Sequence, residues 1–121
     1  MDDAAFGYKK LKVWQLAKEL VVEIHGMTLT KLPKFELYEE GSQIRRSIKS
    51  VKSNIVEGYG RRRHKQEYLR FLDFAYASLH ATGSLTDNTL FASLDDRLNQ
   101  LSKALYAFSR GVEQYHDTDR V

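Results

Sequence analysis

Apolar residues return along most of this chain at intervals of three and four, the repeat that places them on one face of a helix. In a first helix over 11–30, the positions Val13, Leu16, Leu20, Ile24 and Met27 form one line, with Trp14, Ala17 and Val21 beside it. A stripe that wide predicts a helix touching more than one neighbour, within its own bundle or on another subunit. Pro33 ends the pattern, because proline disfavours helical conformation in the residue before it. A second helix over 36–58 carries Leu37, Gly41, Ile44, Ile48, Val51 and Ile55 as a heptad seam, with Glu36, Glu39 and Glu40 at the positive end of its dipole. Gly58 and Gly60 are expected to stop it, since glycine readily takes the left-handed conformation of a C-terminal cap.

A third helix is predicted over 65–90, with Tyr68, Leu72, Ala75, Leu79 and Thr82 as its seam and Phe71, Phe74 and Leu85 widening it. Gly83-Ser84 inside this stretch leaves room for a kink. Ser93 with Asp96 resembles a capping pair for a fourth helix over 94–115, whose Leu94, Leu98, Leu101, Leu105, Phe108, Val112 and Tyr115 keep the heptad spacing. Residues 1–8 and the tail from His116 read as loose ends. Four amphipathic helices without strand-like alternation predict an all-α, antiparallel up-down four-helix bundle, a single domain over 1–121.

Composition agrees with one soluble globular domain: 121 residues, 42% hydrophobic and 29% charged. The chain has no cysteine, so disulfides and thiolate metal sites are excluded. No stretch approaches the roughly 18 consecutive apolar residues of a membrane span. Met1-Asp2-Asp3 is acidic where a signal peptide would be basic, and a cytoplasmic protein without a membrane partner is expected.

Charge changes the picture more. Between Gln43 and Arg70 there are nine basic residues, Arg45, Arg46, Lys49, Lys52, Arg61, Arg62, Arg63, Lys65 and Arg70, against the two acids Glu57 and Glu67. The rest of the chain carries more acids than bases, so the formal net charge of +3 arises from a basic middle on a mildly acidic body. On a helix, Arg45, Lys49 and Lys52 fall within about 60° of one another, a solvent-facing stripe that continues into Arg61, Arg62 and Arg63. One contiguous positive patch of this kind suits phosphates, without base-specific readout.

Catalytic chemistry finds no support. His25, His64, His80 and His116 fall on different elements and none belongs to a metal-binding pair. Gly58-Tyr59-Gly60 lacks the preceding strand and the following Gly-Lys-Ser/Thr of a phosphate-binding loop. Asp95-Asp96 and Glu39-Glu40 are explained by dipole compensation at helix starts. Tyr68, Phe71, Phe74 and Tyr76 could stack on unpaired bases, although aromatics at helical spacing more often form core or interface. No enzyme and no cofactor are expected.

Leu11-Lys12-Val13-Trp14-Gln15 with Ala17, Leu32-Pro33 with Glu36, Gln43-Ile44-Arg45-Arg46-Ser47, Ser53-Asn54-Ile55-Val56-Glu57-Gly58, and Glu67-Tyr68 with Phe71-Leu72 together resemble a known bacterial family. It is the family of four-helix bundle proteins encoded in intervening sequences of 23S ribosomal RNA genes, and the resemblance covers about residues 8 to 80. It implies a small cytosolic bundle assembling as a ring, a homopentamer, without enzymatic activity. Relatives include accessory proteins of diversity-generating retroelements, which look like basic pentamers binding nucleic acid and a reverse transcriptase. Arg45, Arg46, Asn54, Glu57 and Gly58 are the matching motif positions, and Asn54, Glu57 and Gly58 are implied to be structural. The chain departs from the pattern with Lys52 where a proline is usual, His64 where a serine would cap the third helix, and Ala81 where an acid is common. Two functions follow as expectations: nucleic-acid binding, RNA or DNA but chiefly RNA, through the nine basic residues, or an adaptor whose helical stripes bind protein partners.

Overall fold

The computed structural model describes residues 6–31, 39–86 and 92–116 of the chain. Four long helices account for most of them: α1 (Lys12–Lys31), α2 (Glu40–Gly60), α3 (Lys65–Thr86) and α4 (Asp95–Tyr115). Short 3-10 turns precede α1 at Gly7–Lys10 and α4 at Ala92–Leu94. No strand occurs among the described residues. The predicted parts of helix 2 at 36–38 and helix 3 at 87–90 lie outside the described residues, as do Pro33 and Leu37.

Each helix contributes one apolar line to a common core. Val13, Ala17, Leu20 and Ile24 of α1 meet Ile44, Ile48, Val51 and Ile55 of α2, Tyr68, Leu72, Ala75 and Leu79 of α3, and Leu98, Leu101 and Leu105 of α4, with Leu94 just before it. The seams of α2 and α3 are buried as their spacing predicts. In α1 the centre of the seam is rotated from the expected one: Ala17 and Thr28 are fully buried while Leu16 and Met27 are half-buried. A small alanine and a hydrogen-bonding threonine occupy the side that faces α2, and the larger Leu16 and Met27 cover the edge of the core. α1 packs on both α2 and α4, as its wide stripe predicts. The seam of α4 also fades: Phe108 and Val112 are half-buried and Tyr115 is 81% exposed.

Consecutive helices pack together, with α2 and α3 making the most extensive contact. That seam is built from small polar residues. Ser47 Oγ lies 2.8 Å from Thr82 Oγ1, and Ser50 Oγ 2.9 Å from Ser78 Oγ. Asn54 Nδ2 donates to the Ser50 carbonyl at 2.9 Å and to Ser50 Oγ at 3.1 Å, fixing the rotamer of that serine. A carbonyl of its own helix also lies within reach of each hydroxyl, Ile44 for Ser47 and Ser78 for Thr82, so one of the two hydroxyls donates across the seam and the other to its own carbonyl. Polar atoms at a tight helix crossing are tolerated because each finds a partner.

Helix 2 ends at Gly60 as expected, but its glycines do not act through the left-handed conformation of a cap. No glycine of the described residues has a positive φ. α2 runs through Gly58 to Gly60, and the Arg61 N–H closes it on the Gly58 carbonyl at 2.9 Å. Gly58 is buried because α3 comes close there: a Cβ on it would stand 3.2 Å from Phe71 Cβ and 3.4 Å from the Tyr68 carbonyl oxygen. The expected capping pair at Ser93 and Asp96 does not form either, since α4 has Leu94 at its N-cap with no side-chain cap bond. α3 passes Gly83 as one uninterrupted helix.

The expected loose ends lie outside the described residues at 1–5 and 117–121, but Gly7, Tyr8 and His116 are tied down more than their polarity suggests. Gly7 is buried against the Tyr59 phenol, and Tyr8 packs edge-on to Trp14 at 5.3 Å. His116 Nε2 hydrogen-bonds the Arg62 carbonyl, and its ring meets Tyr68 edge-on at 6.3 Å. Arg97 of α4 forms an ion pair with Glu23 of α1. Tyr68 sits in the core, where burial first of all holds its phenol well above the usual tyrosine range, with Tyr59 adding to the effect. A raised acid pKa in the folded state favours the neutral form. Its stabilising contribution is therefore intact below about pH 10 and lost as pH rises beyond it. Urea unfolding should show Tyr68→Phe losing less stability than the parent chain between neutral and strongly alkaline pH; equal losses would refute this assignment.

Candidate nucleic-acid interface

The basic residues of the middle segment are placed by two flanks of α2. With Ile44, Ile48, Val51 and Ile55 turned to the core, Ser47, Ser50, Asn54 and Gly58 lie on the α3 side. Arg45, Lys49, Lys52 and Tyr59 lie on the α1 side, by the 100° step per residue. Two contacts anchor that second flank to the α1 segment: Arg45 Nη1 donates to Thr28 Oγ1 at 2.9 Å, and Tyr59 covers Gly7.

Arg45 is accordingly not the solvent-facing residue that its spacing predicts. It is half-buried, and Thr28 accepts from it while donating to the His25 carbonyl at 3.0 Å. Ala81 is exposed on α3. Arg46, Lys49 and Arg63 are exposed; Lys52 and Lys65 are half-buried. Among the described residues, none of these five has an ion-pair partner.

The α2–α3 loop divides the remaining cations. Arg61 bridges Glu57 at 3.1 Å and Glu67 at 3.4 Å, and Arg70 pairs with the other oxygen of Glu67 at 3.2 Å. Arg62 turns the other way, its guanidinium 4.0 Å from the Tyr59 ring centroid and its Nη1 donating to the Tyr59 carbonyl at 2.9 Å. So the nine cations do not form one uniform patch. Both acids of the segment are used on Arg61 and Arg70 at the α3 side. Arg46, Lys49, Lys52, Arg62, Arg63 and Lys65 keep the surplus charge along the outer side of α2 and its loop, while Arg45 is drawn to α1 by Thr28. Such surface pairs add little stability, on the order of 0–1 kcal/mol; their consequence is where the field is left.

Reading by residue type alone overlooked Tyr59, Thr28 and His116, which orient Arg62, Arg45 and the loop carbonyl. Only Glu57–Arg61, which reaches from the last turn of α2 to its C-cap, and Glu67–Arg70 within α3 carry a local signal, being four and three residues apart. The aromatics separate as well: Tyr68 is core, Tyr76 packs on His80 at 4.6 Å, Phe71 is half-buried and Phe74 is 43% exposed.

No group of three or more histidine, aspartate or glutamate residues that could hold a metal ion occurs among the described residues, and no described helix is long and apolar enough to cross a membrane. A family model described as 23S rRNA-intervening sequence protein matches residues 9–107. No curated protein matches the chain.

Proposed function

The chain belongs to the 23S rRNA-intervening sequence protein family, and from that membership we propose that it is a non-enzymatic RNA-binding protein whose contact surface is the outer side of α2 and the α2–α3 loop. The observation that carries this reading is the separation of charge: Glu57 and Glu67 are spent on Arg61 and Arg70, which leaves Arg46, Lys49, Lys52, Arg62, Arg63 and Lys65 without a carboxylate partner among the described residues. Backbone phosphates are the ligand chemistry such a surface takes, with affinity that depends on charge and little on base identity. Because the family description names 23S rRNA, a fragment of that RNA is the natural probe.

Helices that follow one another in sequence lie side by side, which supports an antiparallel up-and-down bundle. We extend the reading to a ring-shaped homo-oligomer, a homopentamer, working in the cytoplasm. Repeating one phosphate-binding surface around a ring would raise avidity without any new contact. Exposed Val22 and Leu29 on α1 and Tyr106 on α4 favour a second reading, an adaptor that binds other proteins.

The test is fluorescence anisotropy with a 23S rRNA fragment across a salt series. Replacing Lys49 and Lys52 together by alanine is expected to weaken binding to every RNA alike and to lower the salt slope by about 2, one per phosphate contact. Arg70→Gln, at a compensated position, is expected to leave the slope as it was. An unaltered slope in the double variant would turn the assignment toward the adaptor.

A further inference from the structure

Beyond the cations that face phosphates, the α3 side of the hairpin carries a cluster whose charge is already neutralised. The Arg61 guanidinium lies 4.7 Å from the Phe71 ring centroid and that of Arg70 5.6 Å from Phe74. The two rings meet edge to face at 5.4 Å and 84°. Glu57 and Glu67 hold both guanidinium groups from the side, through their N–H edges. That leaves the planar faces to the rings and to solvent. Phe71 is braced from behind, where α3 crosses closely over Gly58, and Phe74 remains 43% exposed.

A neutralised site adds little attraction for phosphate. Flat, oriented π-surfaces beside the loop that carries Arg63 offer something else: a place where bases stack while the neighbouring loop holds the backbone. In a duplex the base faces are already covered by their neighbours, so only unpaired nucleotides can use them. We propose that the Arg61–Phe71 and Arg70–Phe74 pairs form a stacking platform for unpaired bases, so that the RNA taken up is a single strand or loop rather than a continuous helix. This rests on the RNA-binding reading above and narrows its substrate class. The platform selects strandedness and not sequence, since every base has a π-face.

The experiment compares two RNA probes with equal numbers of phosphates, a single-stranded oligouridine and a blunt-ended duplex of two complementary strands, at one salt concentration. The intact chain should bind the single strand more tightly. Phe74→Ala should weaken single-strand binding by roughly 5- to 150-fold, the loss of stacking on one base. It should leave the salt slope and duplex binding unchanged, and Phe74→Trp should keep the affinity. The side chain lies at the surface, so these variants should retain the helical circular dichroism of the parent. Equal binding of both probes with no effect of Phe74→Ala would overturn the platform and leave the phosphate surface standing. A Phe74→Ala variant that changes the oligomer mass but not the affinity would assign the rings to a subunit contact and overturn it too. Binding of neither probe would overturn the platform together with the parent reading.

Discussion

Raising the salt from 50 to 200 mM is expected to weaken RNA binding by on the order of 10³-fold, because each phosphate contact releases counterions and the logarithm of affinity falls with a slope of about 0.7 to 0.9 per contact. Seven of the nine cations between residues 43 and 70 have no pairing with Glu57 or Glu67 and set the upper bound on those contacts for one subunit. A shallower slope would mean that Arg45 and Arg62, held by Thr28 and Tyr59, stay with their protein partners when RNA arrives. Had all nine acted, the slope would be steeper. The number of contacts obtained from the slope therefore checks the division of charge as well as the binding. Affinity that is flat with salt would remove the phosphate surface altogether.

Gly58→Leu is the substitution expected to harm the fold most for its size. The position is helical, so a side chain regains up to about 1 kcal/mol of helix propensity. That gain is offset by the space: a Cβ already stands 3.2 Å from Phe71 Cβ and 3.4 Å from the Tyr68 backbone oxygen, and a leucine continues into them. Overpacking of this kind costs about 1–3 kcal/mol, sometimes more. A net loss near 2 kcal/mol should lower the midpoint of thermal unfolding by roughly 8 °C or more. Gly60→Ala is the control, since nothing lies within 4 Å of its Cβ position and its backbone has no positive φ. It should be neutral or stabilising by up to about 1 kcal/mol. If both changes were equally mild, the close crossing of α2 and α3 at Gly58 would be wrong.

The errors of expectation share a cause. Gly58 and Gly60 look like a helix stop because glycine is common there, yet Gly58 answers to a neighbouring helix that the local sequence does not contain. Ser93 and Asp96 have the spacing of a capping pair, but the 3-10 turn at Ala92–Leu94 puts Leu94 at the cap. The heptad of α4 continues in sequence through Tyr115, whereas burial has faded by Phe108 and Val112. Gly7 and His116 read as loose because few apolar residues surround them in sequence, and they are held by Tyr59 in one case and by the Arg62 carbonyl and the Tyr68 ring in the other.

By itself, the order of residues determined the four helices, the seams of α2 and α3, and the crowding of positive charge into one segment. These follow from periodicity and composition, which are properties of neighbours along the chain. Only the tertiary structure decided which cations keep their charge, which aromatics face solvent, and why Gly58 has no side chain. Each of those depends on which residue of one helix lies across from which residue of another: Arg45 on Thr28, Arg61 between Glu57 and Glu67, Phe71 over Gly58. A helical repeat specifies the face that turns inward. The rotation and closeness at which two such faces meet are set by packing, and that is where the compensated and uncompensated sides of the basic segment part.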